Sequence, residues 1–455
     1  MEYDAIVIGA GQAGPSLARR LAAAGRKVAM IERARFGGTC INTGCTPTKT
    51  LIASAYAAHL ARRSADYGVT IGGAVSIDMR AVKARKDRIV EVSRKAIEAS
   101  LRGTENVTVF HDHAHFVSAH EVAVGQNVLS AGQIFVNVGA RPSVPAIPGL
   151  NACRYLTSSS IVDLEEVPRH LVVIGGSYVG LEFAQMFRRF GADVTVIESA
   201  PRLIGREDLE ISEAVLGILH GEGIAVHVAT HVTGVRQIND ELVVDVEDAA
   251  GARTITGSHL LIAVGRRPNT DDLGADRAGI ALDQRGYINV DDTLRTSVDG
   301  IWALGECNGH GAFTHTAWND FEIVAGNLLD GETRKVTDRI MAYALFTDPP
   351  LGRAGMTEAE ARKERRTVLT GSIPMEDVSR AYEKGETQGL MKLVVDGDTR
   401  EILGAAFLGT SGDEAVHSVL DLMYAKAPYT LLRRVVHIHP TVAEFIPSLL
   451  DGLSV

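Results

Sequence analysis

The chain has 455 residues, a formal net charge of −10 at pH 7, 45% hydrophobic and 22% charged residues, the balance of a globular enzyme of about three domains. The acidic surplus excludes nucleic acid and anionic membrane as main partners, because phosphate backbones and acidic headgroups repel such a surface. Four cysteines exclude a disulfide scaffold and point to a reducing compartment; with no basic leader and no apolar run near the ~18 residues of a membrane span, the expectation is a cytoplasmic protein.

From Asp4 to Glu32 the pattern is apolar strand, glycine turn, amphipathic helix and a second strand ending in an acid, which predicts a Rossmann unit. Gly9 permits the turn, Gly11 lets the backbone approach a pyrophosphate, and Gly14 lets helix pack on strand. Glu32 is placed to hold a ribose diol. Next comes Gly37 to Lys49, with Cys40 and Cys45 in a C-x4-C spacing. Gly44 allows the turn that brings the sulfurs together, and Pro47 suits the first turn of a helix running through Leu51, Ile52 and Ala55. Cys45 then lies at a helix N-terminus, whose partial positive charge favours a thiolate, and Lys49 follows on the same face one turn later.

Thr50 to Glu98 reads as helical with a break around Gly68 to Gly73, and Val107 to Phe116 and Glu121 to Ser130 read as strands. His111, His113 and His115 would share one strand face. No carboxylate or cysteine completes a ligand set there, so no metal is assigned. Phe135 to Pro142 is an apolar strand ending in glycine, arginine and proline, and Leu261 to Pro268 repeats it; both mark exits from nucleotide-binding units. The prolines between Pro142 and Gly149 make a crossing into a second domain. There, His170 to Glu198 repeats Asp4 to Glu32 without a gap, matching Gly175 to Gly9, Gly180 to Gly14, Gly191 to Gly25 and Glu198 to Glu32. Ser177 replaces the middle glycine and adds a Cβ where a pyrophosphate would approach. From about Ile340, strands at Leu390 to Val395 and Ile402 to Leu408 and a helix at Glu414 to Ala425 predict a separate α+β domain. Cys153 and Cys307 read as spectators.

Four stretches carry a resemblance: GGTCINTGCTPTK around the cysteine pair, GGSYVGLEFA in the second repeat, TSVDGIWALGEC from Thr296 to Cys307, and HIHPTVAE from His437 to Glu444. With the first glycine motif, they make the chain resemble, over essentially its whole length, the pyridine nucleotide-disulfide oxidoreductases, which include dihydrolipoamide dehydrogenase, glutathione reductase and mercuric reductase. The resemblance implies an α/β fold with two Rossmann-like dinucleotide-binding domains, for FAD and NAD(P), and a C-terminal α+β dimerisation domain. The implied division is 1–147 and 269–339 for FAD, 148–268 for NAD(P), and 340–455 for the interface of a homodimer.

The same resemblance assigns roles. Cys45 would face the flavin and Cys40 would attack substrate, with Lys49 and Glu182 paired beside the flavin N5. FAD contacts are implied for Gly9, Gly11, Gly14 and Glu32, for Gly38, Thr39 and Lys49, and for Ala114, Gly139, Gly305, Glu306 and Thr314. Glu306 stands where the family usually has an aspartate bonding the ribityl chain. Pyridine nucleotide contacts are implied for Gly175, Ser177, Gly180, Glu198 and Gly265, with Tyr178 as the lid that nicotinamide displaces. His439 would be the acid and base, with Glu444 fixing its tautomer; His437 is the alternative. It would reach the cysteine pair of the other subunit, making the dimer obligate. Glu198 favours NADH over NADPH, since it would repel a 2′-phosphate, although Arg202 and Arg206 lie nearby. GCTPTK, Ser177 and the run from Asn319 through Pro349 and Pro350 are most similar to mercuric-reductase-like flavoproteins, including those tied to copper or reactive-chlorine stress. The end of the chain lacks the cysteine pair that delivers Hg(II) in mercuric reductases. The expected reaction is electron transfer from NAD(P)H through FAD and the Cys40–Cys45 disulfide to a disulfide or soft-metal acceptor. Dihydrolipoamide dehydrogenase is the alternative, followed by a diaphorase or transhydrogenase and a redox sensor without turnover.

Overall fold

The computed structural model describes residues 1–364 and 367–454. Val455, the last residue of the expected interface domain, lies outside the described residues. The first sheet runs in the order Val107–Phe110, Val28–Ile31, Glu2–Ile8, Asn127–Val136, with Ile301–Ala303 joining the last strand and these pairs all parallel. Chain order reverses between Glu2–Ile8 and Asn127–Val136. Ligands bind at such switch points, outside the carboxyl ends of the strands, where the turn at Gly9 leads into the helix Ala13–Ala23.

The second sheet repeats the plan with Ala225–His227, Asp193–Ile197, His170–Ile174 and His259–Ile262, again parallel. The sequence repeat extends to the hydrogen bonds. Gly9 N donates to Ile31 O at 2.8 Å and Gly175 N to Ile197 O at 2.9 Å, while Glu32 N donates to Phe110 O at 3.0 Å and Glu198 N to His227 O at 2.8 Å. A meander over His231–Ile238, Glu241–Asp248 and Gly251–Gly257 covers one face, burying Val235, Leu242, Val244 and Val246 against Val172, Ile174, Leu260 and Ile262. The two exit motifs form a single joint: Ala140–Pro142 pairs antiparallel with Arg266–Pro268.

The third sheet is antiparallel, ordered Ala342–Leu345, Leu351–Gly355, Ile402–Leu408, Leu390–Asp396, Val368–Pro374, with the helix Gly412–Tyr424 on one face. Every residue of Ile402–Leu408 is buried. Successive side chains leave a strand on opposite faces: Ala405 and Phe407 pack with Val416 and Val419 of the helix, and Ala406 and Leu408 join the core of the second Rossmann unit. This strand welds the two units together. No helix among the described residues is long and apolar enough to cross a membrane.

Two strand readings are corrected. Val107 to Phe116 is two strands, Val107–Phe110 and Ala114–Ser118, and the second turns antiparallel onto Glu121–Val124. The break falls where Asp112 Oδ1 accepts the His113 amide at 2.7 Å and His111 Nε2 meets Ala34 O at 2.6 Å. Glu121 to Ser130 is likewise cut at Gly125, whose φ is +57°. His111, His113 and His115 therefore share no strand face; His113 and His115 stack at 6.1 Å while His111 turns away.

Candidate active site

The helix Cys45–Arg62 begins at the second cysteine, with Pro47 in its first turn and Lys49 one turn on. Before it, Gly44 has φ −120° and ψ −118°, and a Cβ there would lie 2.9 Å from Thr39 O. Both cysteines are free thiols, Cys45 exposed and Cys40 half-buried. The hydrogen bond from Cys40 is the largest cause holding the Cys45 thiol down at about 6; burial opposes it, and Thr314 and Lys49 assist. The same bond and burial push Cys40 far above the ordinary thiol range. The sequence pointed to the helix end as the source of thiolate character. The structure adds a Cys40 S–H beside Cys45, which stabilises the anion directly when it donates to that sulfur. Thr314 Oγ1 lies 3.3 Å from Cys45 Sγ.

Lys49 Nζ meets Glu182 Oε2 at 2.8 Å and lies 4.4 Å from the ring centre of Phe346, whose amide donates to Glu182 Oε1 at 3.0 Å. Glu182 is buried, so the cation is fixed beside the thiols.

The first glycine turn fits a dinucleotide. A Cβ on Gly14 would lie 2.1 Å from Gly9 O, and one on Gly38 2.8 Å from Gly11 Cα. The cysteine segment, led by Gly38 and Thr39, thus abuts the glycine turn. Glu32 accepts Ala10 N and Ala34 N at 2.8 Å, one on each oxygen, which leaves carboxylate lone pairs for a ribose diol. Asn137 fastens the site: its Oδ1 accepts Gly14 N at 3.1 Å and its Nδ2 donates to Leu304 O at 2.8 Å. Gly305 follows, its amide bonded to the buried Asp320 at 2.7 Å. Gly139 has φ +64°, and Ala114 is buried opposite Val124 in the adjoining hairpin. Glu306 is paired on one oxygen. Arg266 Nε donates to its Oε1 at 2.7 Å, and Arg266 also reaches Ala140 O at 2.6 Å and Thr39 Oγ1 at 3.4 Å.

The second turn copies the first. Gly176 N and Ala200 N donate to Glu198 Oε2 and Oε1 at 2.6 and 2.7 Å, and a Cβ on Gly180 would lie 2.0 Å from Gly175 O. Ser177 is exposed and makes no capping hydrogen bond, and Gly265 has φ +106°. Tyr178 starts the helix Tyr178–Phe190 and donates to Glu207 Oε1 at 2.7 Å.

His439 Nδ1 lies 3.0 Å from Glu444 Oε2, so the imidazole is oriented, yet its side chain is 75% exposed. Among the described residues no hydrogen bond or ion pair joins it to Cys40 or Cys45. His437 Nδ1 is buried without a partner. Cys307 is buried and its thiol pushed up to about 12, and Cys153 bonds Gly149 O at 3.3 Å; neither approaches the pair.

Sequence reading missed Asn137, Asp320, Arg266 and the contact of Thr314 with sulfur. A polar residue inside the apolar run Phe135 to Val138 was the available signal for Asn137. The thiol assignment has a direct check: labelling of Cys45 in the reduced protein by iodoacetamide, read by peptide mass spectrometry, rises to half its plateau near pH 6. A midpoint near the ordinary thiol value of about 8.5 would contradict it.

Comparison with known proteins identifies the family. The family model described as pyridine nucleotide-disulphide oxidoreductase matches residues 3–320, and its dimerisation domain matches 341–449. A probable pyridine nucleotide-disulfide oxidoreductase of Escherichia coli, RclA, is 36% identical over 98% of both chains, and a mercuric reductase of Streptomyces lividans is 33% identical over 97% of this chain and 94% of that protein. The solved Cu(II) complex of the HOCl-induced flavoprotein disulfide reductase RclA superposes with a TM-score of 0.91 at 34% identity, covering 99% of each chain. A close pair of free cysteines and two matching glycine turns, together with a family match along nearly the whole sequence, place this chain among the pyridine nucleotide-disulfide oxidoreductases, the flavoprotein enzymes that work with a pyridine nucleotide.

Proposed function

We propose that this enzyme carries two electrons from NAD(P)H to a thiophilic metal ion, with Cys40 and Cys45 as the delivering pair. The observation that carries this reading is two adjacent free thiols with Cys45 exposed and Cys40 half-buried, a soft donor pair that suits Cu and Hg ions, with the Cys45 thiol held down at about 6 by Cys40. The Cu(II) complex of the RclA relative and the mercuric reductase relative support it. Gly9, Gly11, Gly14, Glu32, Gly38 and Thr39 would hold FAD, which would supply two-electron transfer from the nicotinamide to the cysteine pair. The Cys40–Cys45 disulfide would gain two electrons and one proton, opening to a Cys40 thiol and a Cys45 thiolate, the charge state that the lowered pKa of Cys45 favours. Two Cu(II) ions bound there would each accept one electron, or one Hg(II) both, as the Cys40 proton leaves to solvent and the disulfide re-forms.

A disulfide substrate is the second reading, favoured by the oriented His439–Glu444 pair. Cys40 gives its proton to the partner's His439 and attacks one substrate sulfur, and that imidazolium returns the proton to the departing thiolate. Cys45 then attacks Cys40 and releases the second thiol. The proposed assembly is a cytoplasmic homodimer, with 1–147 and 269–339 holding FAD, 148–268 the pyridine nucleotide and 340–455 the interface. Glu198 supports NADH as donor, and Arg202 is tied back to Gly205 O at 3.0 Å, away from a 2′-phosphate.

Anaerobic turnover with Cu(II), Hg(II), lipoamide and glutathione disulfide, each with NADH and NADPH, tests both readings. We expect a metal with NADH to exceed any disulfide by about tenfold (1.4 kcal/mol); lipoamide as the best acceptor would transfer the assignment to dihydrolipoamide dehydrogenase. The shared site gives a further expectation for the disulfide reaction. Cys40→Ser and His439→Ala dimers are each inactive, and dissociating and remixing them restores about a quarter of wild-type activity, because half the dimers are mixed and each has one intact site. No recovery in dimers shown to be mixed would place His439 in the same subunit's site.

A further inference from the structure

Glu207 is the most enclosed carboxylate near the second dinucleotide turn, its side chain showing 0% exposure. Its Oε2 accepts Nε of the buried Arg353 at 2.9 Å and also Arg353 NH2. Its Oε1 accepts two phenols, Tyr178 at 2.7 Å and Tyr343 at 2.8 Å. The two rings meet edge to face at 5.4 Å and 89°. Tyr343 cannot follow Tyr178 if that ring moves. It belongs to the strand Ala342–Leu345, paired with Leu351–Gly355, and its other face stacks on Phe313 at 5.4 Å and 11°.

We propose that Glu207 is the latch of the coenzyme gate, a positioning residue fixed by Arg353 that holds Tyr178 over the nicotinamide pocket and keeps its bond to Tyr343 when Tyr178 swings away. The proposal rests on the reading of Tyr178 as the nicotinamide lid and deepens it. A buried carboxylate with a single phenol on Oε1 would lose that oxygen's only partner on opening, and an unsatisfied buried acceptor is costly. With two phenols, opening breaks one bond and keeps the other, so the gate is held but opens at low cost. The fixed half of the gate also reaches the thiols: Phe313, under Tyr343, precedes Thr314, whose Oγ1 is 3.3 Å from Cys45 Sγ.

The tyrosines test this without removing the buried charge. Calorimetry on the oxidised holoenzyme gives Kd for NAD⁺, which needs the gate open, and for ADP-ribose, which lacks the nicotinamide and does not. We expect Tyr343→Phe to weaken NAD⁺ about tenfold, since opening then strips Oε1, and to leave ADP-ribose unchanged. Tyr178→Phe removes the latch and tightens NAD⁺ severalfold. In the Tyr178→Phe background, Tyr343→Phe has no further effect on NAD⁺. An equal effect of Tyr343→Phe in both backgrounds, or on both ligands, means that Tyr343 is merely structural and overturns the proposal. Tyr178→Gly separates the two levels. If it changes NAD⁺ relative to ADP-ribose while the phenylalanine variants show no coupling, only the latch falls; if it changes neither, the lid reading falls and takes the latch with it.

Discussion

Cys40→Ser is expected to lower turnover with metal or disulfide acceptors by on the order of 10³-fold or more, while NADH oxidation with a quinone, which draws electrons without the thiols, stays within about twofold. Serine is the informative replacement because its hydroxyl can still donate to Cys45, the interaction that contributes most to holding that thiol at about 6. The loss then reports the missing sulfur and not a reprotonated neighbour. Cys40→Ala removes the donor as well, so Cys45 moves back toward its ordinary value and its labelling midpoint rises. Steady-state assays of both variants with the two acceptor classes decide the matter. If metal or disulfide turnover survives in Cys40→Ser, electrons do not leave through the pair, and direct flavin chemistry is the correct reading.

Gly14→Ala and Gly180→Ala place the same methyl group against the same kind of obstacle, at 2.1 Å from Gly9 O and 2.0 Å from Gly175 O. Neither backbone carbonyl can swing aside as a side chain would, so helix and strand must separate, at a cost of about 3 kcal/mol. The consequences differ because the two turns serve different ligands. Gly14→Ala should purify largely without FAD. Gly180→Ala should stay yellow and bind NAD⁺ on the order of 100-fold more weakly. Flavin absorbance after gel filtration and calorimetry with NAD⁺ measure the two losses. A colourless Gly180→Ala protein beside a yellow Gly14→Ala protein would exchange the two assignments.

Much of the site was legible because local geometry dictates it. A strand, a glycine turn, a helix and an acid at a fixed spacing leave few conformations open, so Gly9, Gly14 and Glu32 and their copies Gly175, Gly180 and Glu198 fell into place with their hydrogen bonds matched. The alternation of Ala405 and Phe407 with Ala406 and Leu408 predicts a strand in the same way, but cannot say that each face meets a different core. The histidine strand failed for a related reason. Alternation over Val107 to Phe116 is what a long strand would show, and the contact of His111 with Ala34 O, which turns that ring away, lies outside any local window.

The sequence alone settled which residue types stand at each turn, that two dinucleotide units exist, and that Cys40 and Cys45 can face each other, since these follow from short-range sterics and spacing. The tertiary structure alone decided which partner tunes each group. Cys40 lowers the Cys45 thiol, Arg266 pairs with Glu306 across 40 residues of chain, and Arg353 arrives from the third sheet to fix Glu207 beneath Tyr178. Charge and hydrogen bonding act through space over a few ångströms, and only the folded chain brings residues so distant in order within that reach.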